Sequence, residues 1–307
     1  MLPIIRIGTR ESQLAVWQAS QVQALLAQQE ITAELVYIKS EGDIDLKTPL
    51  YEIGVQGIFT KSLDIALLEN RIDLAVHSLK DVPTQPPLGI CQAAVLPRGP
   101  VGDLLVFKNN KDFLYDESYQ AHIATSSIRR RALWLSRHPG HLIHNLRGNV
   151  NTRLKKLESE PWDAAIFAQA GLERIGIRPE KSLVIDWMLP APAQGAIVVV
   201  CRTEDQEMLQ ACGHFNDTDT ALCTRIERDF LRTLEGGCST PVSALATIES
   251  GTVHFRGSIV SLEGRHTAQT EKWVAVTEAD GFGKTAATEL LQNGGQEIAD
   301  LIRHAAT

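Results

Sequence analysis

The sequence predicts an α/β protein, two α/β units of similar build followed by a small α+β domain. Three observations carry that expectation. Strand-like and helix-like stretches alternate through the first two thirds of the 307 residues, the pattern of a parallel sheet with covering helices. Two of these stretches rhyme, Ile7-Gly-Thr-Arg-Glu-Ser and Ile123-Ala-Thr-Ser-Ser, each running a strand into small polar residues that open a helix. After Thr218 the pattern changes to a long helical run, two strand-like stretches and a final amphipathic helix. At roughly 150 residues per domain the length suits about two domains, with room for a third.

Taken in order, Ile4 to Ile7 reads as a strand, Ser12 to Gln28 as a helix, Leu35 to Ile38 as a strand, Lys61 to Asn70 as a helix and Leu74 to Val76 as a strand. Ser12 and Ser127 are N-cap candidates, because a serine hydroxyl accepts from the unpaired amides of a first turn. The stretch Leu96-Pro-Arg-Gly-Pro-Val-Gly then breaks the pattern. A second set follows: strand Ile123 to Thr125, helix Ser127 to Arg137, strand Leu142 to His144, helix Val150 to Glu158 and strand Ala164 to Phe167. A further Pro/Gly stretch, Leu189-Pro-Ala-Pro-Ala-Gln-Gly, closes it. Two such stretches are expected at a hinge crossed twice, around a cleft that opens and closes. Arg71-Ile-Asp-Leu-Ala-Val and Pro161-Trp-Asp-Ala-Ala-Ile rhyme as well, but the offsets differ (125 − 9 = 116 against 163 − 73 = 90), so the units share an architecture without being a strict repeat. The remainder reads as helix from Thr218 to Leu234, the sharp Glu235-Gly-Gly-Cys-Ser-Thr-Pro, strands near Val253 to Val260 and Lys272 to Thr277, and one helix from Lys284 to Arg303.

Composition excludes several classes of function. Thirty-seven acidic against 30 basic side chains leave a net charge of −7, so no global attraction to nucleic acid or anionic lipid is expected. The start, Met-Leu-Pro-Ile-Ile-Arg-Ile-Gly-Thr-Arg, has neither a signal-peptide apolar core nor the length of a membrane span, and the protein is expected in the cytoplasm. Five cysteines, Cys91, Cys201, Cys212, Cys223 and Cys238, are odd in number and widely spread. Neither a disulfide framework nor a metal site is expected from them.

Arginine is the residue to follow. Arg10 lies on the first strand-to-helix turn, Arg129, Arg130 and Arg131 open a helix, Arg147 follows a strand and Arg153 sits in the helix after it. Helix N-termini already carry positive potential, so basic residues gathered there suit an anion. Guanidinium forks favour planar carboxylates, hence a small ligand with several acidic arms. The residues alone also allow a solvated basic face paired with local acids, or a local nucleic-acid patch. Val76-His-Ser-Leu-Lys-Asp-Val-Pro places His77, Ser78, Lys80 and Asp81 at the carboxyl end of a strand, where open α/β sheets bind ligands. Lys80 suits an acidic arm, and Asp81 suits a developing cation or a proton in transit, though each residue type is also ordinary in a turn or a core. Gly236-Gly-Cys-Ser presents Cys238, because paired glycines reach backbone angles closed to other residues.

Together and in this order the motifs resemble the hydroxymethylbilane synthase, or porphobilinogen deaminase, family. The matching pieces are I-G-T-R-E-S-Q-L-A at Ile7, G-I-F-T-K at Gly57, A-L-L-E-N-R-I-D-L-A-V-H-S-L-K-D-V-P at Ala66, T-S-S-I-R-R at Thr125, L-R-G-N-V-N-T-R-L at Leu146, Q-G-A at Gln194 and L-E-G-G-C at Leu234. The resemblance implies two domains like those of type II periplasmic binding proteins around a cleft, plus a small α+β domain: residues 1–98 with 196–216, 99–195 and 217–307. It implies a dipyrromethane cofactor joined to Cys238 by a thioether and acting as primer. Four porphobilinogen molecules add to it with loss of ammonia, and hydroxymethylbilane leaves by hydrolysis. By the same resemblance Asp81 is the catalytic carboxylate. Lys80, Ser127, Arg129, Arg130, Arg153 and Gln194 hold the cofactor or growing chain. Arg10, Ser12, Gln18, Arg147 and Arg153 hold the incoming substrate, and Phe59 lies on the loop covering the cleft. A monomer with no nucleic-acid or membrane partner and no metal is implied. A rival reading keeps the arginines as a non-catalytic anion-binding, effector-sensing site with Cys238 inert. Three positions depart from the family pattern: Gln56 where lysine is usual, and Ala124 and Ala193 where glycine is usual. The first removes a cation and implies slower elongation; the other two remove access to positive φ if those positions use it.

Overall fold

A computed structural model describes residues 4–40, 57, 59–234 and 240–305. The described chain divides into two compact units, one of residues 4–40, 57, 59–99 and 194–222, the other of residues 100–193, 223–234 and 240–305. The first unit begins with β1 (Ile5–Thr9), α1 (Gln13–Ala27), β2 (Ala33–Tyr37), α2 (Lys61–Leu68), β3 (Leu74–Ser78) and β4 (Ile90–Val95). The second is built from β5 (Asp103–Phe107), β6 (His122–Ala124), α3 (Ile128–Arg137), β7 (Leu142–His144), α4 (Val150–Ser159), β8 (Ala164–Ala168), α5 (Gln169–Glu173) and β9 (Ser182–Ile185). The chain returns to the first unit for β10 (Ile197–Arg202) and α6 (Gln206–Gly213). Then α7 (Thr218–Thr233) leads back to β11 (Val242–Glu249), β12 (Thr252–Val260), β13 (Thr267–Ala275), α8 (Phe282–Leu290) and α9 (Gln296–Ala305) in the second.

Each unit holds a five-stranded sheet, ordered β2-β1-β3-β10-β4 and β7-β6-β8-β5-β9. In both, the first three strands are parallel and the strand in fourth place is antiparallel to its neighbours. The rhyming stretches fall on equivalent strands, β1 with β6 and β3 with β8. Their shared aspartate does one job in both units. Asp73 accepts from the Arg6 amide at 2.9 Å and Asp163 from the His122 amide at 2.7 Å. The aspartate amides return the bond, to the Arg6 carbonyl at 2.8 Å and the His122 carbonyl at 2.9 Å, and so pin the third strand to the start of the first. Among the described residues the chain crosses between units at Gly99/Pro100 and Ala193/Gln194, inside the two Pro/Gly stretches, and a third time at Leu222/Cys223, within α7, one crossing more than the two expected from the Pro/Gly stretches.

Local sequence explains the elements that carry the site. In α1 the buried residues Ala15, Gln18, Ala19, Val22 and Leu26 recur at helical spacing, and Ser12 caps the first turn by accepting from the Ala15 amide at 3.3 Å. Strands β3 and β10 are near-continuous apolar runs because helices cover both faces of their sheet. Gly8 of β1 leaves room for Leu63 of α2 and for Ile72, just before β3: a Cβ there would lie 2.9 Å from Leu63 Cδ2 and 2.3 Å from Ile72 Cδ1. In the second unit the strand alternation feeds two cores, Leu105, Ile123 and Ile166 with Trp134 on one face, and Val106, Ala124 and Ala165 with Leu157 on the other.

The antiparallel sheet β11-β12-β13 packs within the second unit. Phe230 of α7 lies under it where Gly257 has no side chain, since a Cβ there would sit 2.6 Å from the ring. The single final helix expected from Lys284 to Arg303 is corrected to two, α8 and α9. Asn293 (φ −103°, ψ 43°) and Gly294 (φ 95°) leave helical geometry between them, as an Asn-Gly-Gly run favours. Among the described residues no helix is long and apolar enough to cross a membrane.

Candidate active site

In the first unit the expected residues collect at one edge of the sheet. The parallel strands β1 and β3 end side by side, which brings Arg10 and Ser12 to the same edge as Ser78, Lys80 and Asp81. Gln194 precedes β10, which runs the opposite way, and so reaches that edge too. Lys80 Nζ donates to Gln194 Oε1 at 3.2 Å, and buried Gln18 donates from Nε2 to Ser78 Oγ at 2.8 Å. The Arg10 guanidinium lies 4.6 Å from the centre of the Phe59 ring, a cation–π contact. Asp81 closes the 3-10 turn Leu79–Asp81 and is exposed, while its neighbour Leu79 is buried and anchors the turn through its amide to the Ala196 carbonyl at 3.0 Å.

The second unit repeats the plan with different chemistry. Ser127 caps α3, its hydroxyl accepting from the Arg130 amide at 3.4 Å. Arg129 and Arg130 are not a solvated face: they are 4% and 5% exposed, and both turn inward to Asp103, which is fully buried. Arg129 reaches Asp103 Oδ2 at 2.6 Å and the Leu189 carbonyl at 2.8 Å. Arg130 grips Asp103 Oδ1 through Nε at 3.0 Å and Nη2 at 2.7 Å, and donates to the Ile166 carbonyl at 3.0 Å. Only Arg131 of the three is exposed. Arg129 Nε is buried with no hydrogen-bond partner among the described residues, a donor that the fold itself leaves unspent. Arg147, after β7, is buried, and Arg153 in α4 is half-buried with Nε donating to the Gly148 carbonyl at 2.7 Å. The first turns of α1, α3 and α4 contain no acidic residue.

Sequence reading missed Asp103, the carboxylate that organises the two arginines. Its signal is a lone acid heading the apolar run Asp-Leu-Leu-Val-Phe. Of the departures, Ala193 does occupy the left-handed region at φ 61°, whereas Ala124 is not among the positive-φ residues. Gln56 and Cys238 lie outside the described residues. Among the thiols that are described, burial pushes Cys212 up to about 12 and raises Cys201 as well, so neither is a thiolate at neutral pH. No described cluster of three or more His, Cys, Asp or Glu side chains is arranged to hold a metal ion.

His77 is 6% exposed in β3, with Nε2 lacking a partner among the described residues. Burial, reinforced by Arg10, holds it down to about 4; burial, with His141 and Arg137 nearby, does the same to His138. A histidine that stays neutral when folded but takes a proton near 6.5 when unfolded gives stability that is complete above that value and is lost as pH falls toward about 4. The thermal midpoint is therefore expected to drop between pH 6.5 and 4.5, less steeply in His77→Gln. A midpoint flat across that window would contradict the assignment.

Two family models match the chain: "Porphobilinogen deaminase, dipyromethane cofactor binding domain" over residues 5–210 and "Porphobilinogen deaminase, C-terminal domain" over residues 221–292. A porphobilinogen deaminase of Syntrophomonas wolfei is 39% identical over 301 residues, covering 96% of this chain and 97% of the relative. The chain belongs to the porphobilinogen deaminase family. A second porphobilinogen deaminase, of Chlorobium phaeobacteroides, is 38% identical over 305 residues, with 97% of each chain covered. Of the solved structures, an arginine-specific periplasmic binding protein of Salmonella typhimurium is 10% identical with a TM-score of 0.43, over 72% of this chain and 94% of that one, a likeness too slight to argue from.

Membership of the porphobilinogen deaminase family brings dipyrromethane, a group bearing acidic arms, and the donor set fits it. Within the second unit Ser127, Arg129, Arg130 and Arg153 supply hydroxyl and guanidinium donors, and the single carboxylate of Asp103 neutralises only part of the charge of Arg129 and Arg130; the first unit by itself offers the ammonium of Lys80. The buried Nε of Arg129 is the observation of this structure that a carboxylate would satisfy.

Proposed function

We propose that the protein is a hydroxymethylbilane synthase, a transferase that condenses four porphobilinogen molecules onto a dipyrromethane primer with loss of ammonia and releases hydroxymethylbilane by hydrolysis. The observation that carries this reading is the gathering of Arg10, Ser12, Ser78, Lys80 and Gln194 at the same end of the first unit's sheet as the exposed carboxylate of Asp81, in a chain of this family. When bound, dipyrromethane supplies the nucleophilic pyrrole carbon from which the chain grows. Lys80, Ser127, Arg129, Arg130, Arg153 and Gln194 hold the acidic arms of primer and growing chain. Arg10, Ser12, Gln18, Arg147 and Arg153 orient the incoming porphobilinogen by its acetate and propionate. Arg10 is steadied by the Phe59 ring, so that loop and substrate site are linked. Asp81 stabilises positive charge as it develops on the pyrrole nitrogens and moves a proton to the departing amine. Cys238 provides the thioether sulfur. We read the protein as a cytoplasmic monomer acting on a small molecule, its net charge of −7 giving nucleic acid and anionic membranes no general hold.

Intact mass tests the reading directly. The purified protein is expected to exceed its sequence mass by two linked pyrrole units and Cys238→Ala to match the bare sequence. A parent at the bare mass that stays there after incubation with porphobilinogen would overturn it.

A further inference from the structure

Glu227 of α7 is fully buried, yet it occupies the apolar stripe formed by Cys223, Ile226, Phe230 and Leu234. Its carboxylate accepts two backbone amides from separate segments, Ala193 at 2.6 Å and Ala246 of β11 at 2.7 Å. Ala193 is itself buried and sits at the second crossing between the units with φ 61°, a conformation costly for a residue with a Cβ. The residue after it is tied on its other side. The Gln194 carbonyl accepts from Arg98 Nε at 3.0 Å, its side chain accepts from Lys80 at 3.2 Å, and the Gly195 carbonyl accepts from the Gly99 amide of the first crossing at 3.0 Å. The Ala244 amide also donates to the Pro190 carbonyl at 3.1 Å, so β11 and the crossing are stitched twice.

We infer that Glu227 is a positioning residue for the transferase reaction: by holding the Ala193 amide it keeps the crossing in its left-handed turn and thereby aims Gln194 at Lys80. This rests on the proposed function for its consequence in turnover. A carboxylate suits the task because it is acceptor on both oxygens and can take an amide from each segment without a donor of its own to satisfy. At an alanine the turn needs that outside hold; at a glycine, the residue usual here in the family, it needs much less.

The experiment pairs Glu227→Gln with Ala193→Gly. The glutamine keeps the shape but turns an NH2 group toward one of the two amides. Glu227→Gln is expected to lower kcat/KM about tenfold with the primer mass unchanged, and to speed hydrogen exchange of the residue-193 amide. Adding Ala193→Gly is expected to bring kcat/KM back to within about twofold of the parent, since glycine holds the turn unaided. A purely structural glutamate would lose stability, with no rescue from glycine 34 residues away in sequence. Parental turnover and exchange in Glu227→Gln, or a loss that Ala193→Gly leaves untouched, would overturn the inference. Should Glu227→Gln not accumulate as folded protein, Ala193→Val asks the same question, because a β-branched residue resists positive φ. Several-fold loss of turnover is then expected, and parental turnover overturns the inference. A parent that makes no tetrapyrrole would instead sink the functional reading, and the exchange rate at residue 193 would still decide the coupling.

Discussion

Asp103→Ala is expected to destabilise the protein by about 3–5 kcal/mol, because it strands two buried guanidiniums together. Asp103 heads β5, the strand inserted between β8 and β9, and its oxygens take the three short bonds from Arg129 and Arg130. Burial already pulls Arg129 below the ordinary arginine range, with Asp103 opposing and Arg130 adding to the fall. Removing the carboxylate removes the opposite charge that makes the arrangement tolerable, and neither arginine has a solvated alternative at 4% and 5% exposure. Asp103→Asn keeps an acceptor and the shape, so a smaller loss is expected from it. Equilibrium denaturation measures both. A loss below about 1 kcal/mol in Asp103→Ala would mean that the arginines find other partners.

Asp103 also shows where the sequence stops speaking. The strands and helices that build the two units were legible because apolar spacing follows burial, and Ser12 and Ser127 were legible as caps because a first turn needs an acceptor. The three consecutive arginines were ambiguous: adjacent residues on a helix point about 100° apart, so Arg129 and Arg130 turn inward while Arg131 faces solvent. Which ones do so depends on where an acid lies, and that acid is 26 residues away in sequence from Arg129. Glu227 was hidden for a related reason. A carboxylate inside an apolar stripe breaks the pattern by one residue, and only the fold supplies the two amides that make it sensible. The break could have been noticed, since Cys223, Ile226, Glu227 and Phe230 share a face at helical spacing. At Ala193 the missing glycine was visible in sequence, but its positive φ is a property of the crossing, and at Ala124 the same absence costs nothing of that kind. The helix break after Leu290 was written plainly in Asn293-Gly294-Gly295 and lost to the amphipathic spacing on either side.

Asp81→Asn carries the largest effect on activity. The turn that bears it is set without the carboxylate: Leu79 is buried, its amide bonds the Ala196 carbonyl, and the Val82 amide closes on the Leu79 carbonyl at 3.2 Å. An exposed side chain on such a turn contributes little to folding, and its replacement is expected to move stability by no more than about 0.5 kcal/mol. Asparagine preserves size and one oxygen but cannot balance a developing cation or carry a proton. If Asp81 does both, turnover should fall by about 10²–10⁴-fold, the range for losing a group that transfers protons in the transition state. The thermal midpoint and the dipyrromethane mass should stay where they are in the parent. That combination separates a chemical role from a positioning one, because a residue that merely holds a carboxylate arm would change KM or primer load first. Turnover within a few-fold of the parent would remove Asp81 from the reaction and leave the donors around it as a binding site whose proton-transfer group lies elsewhere.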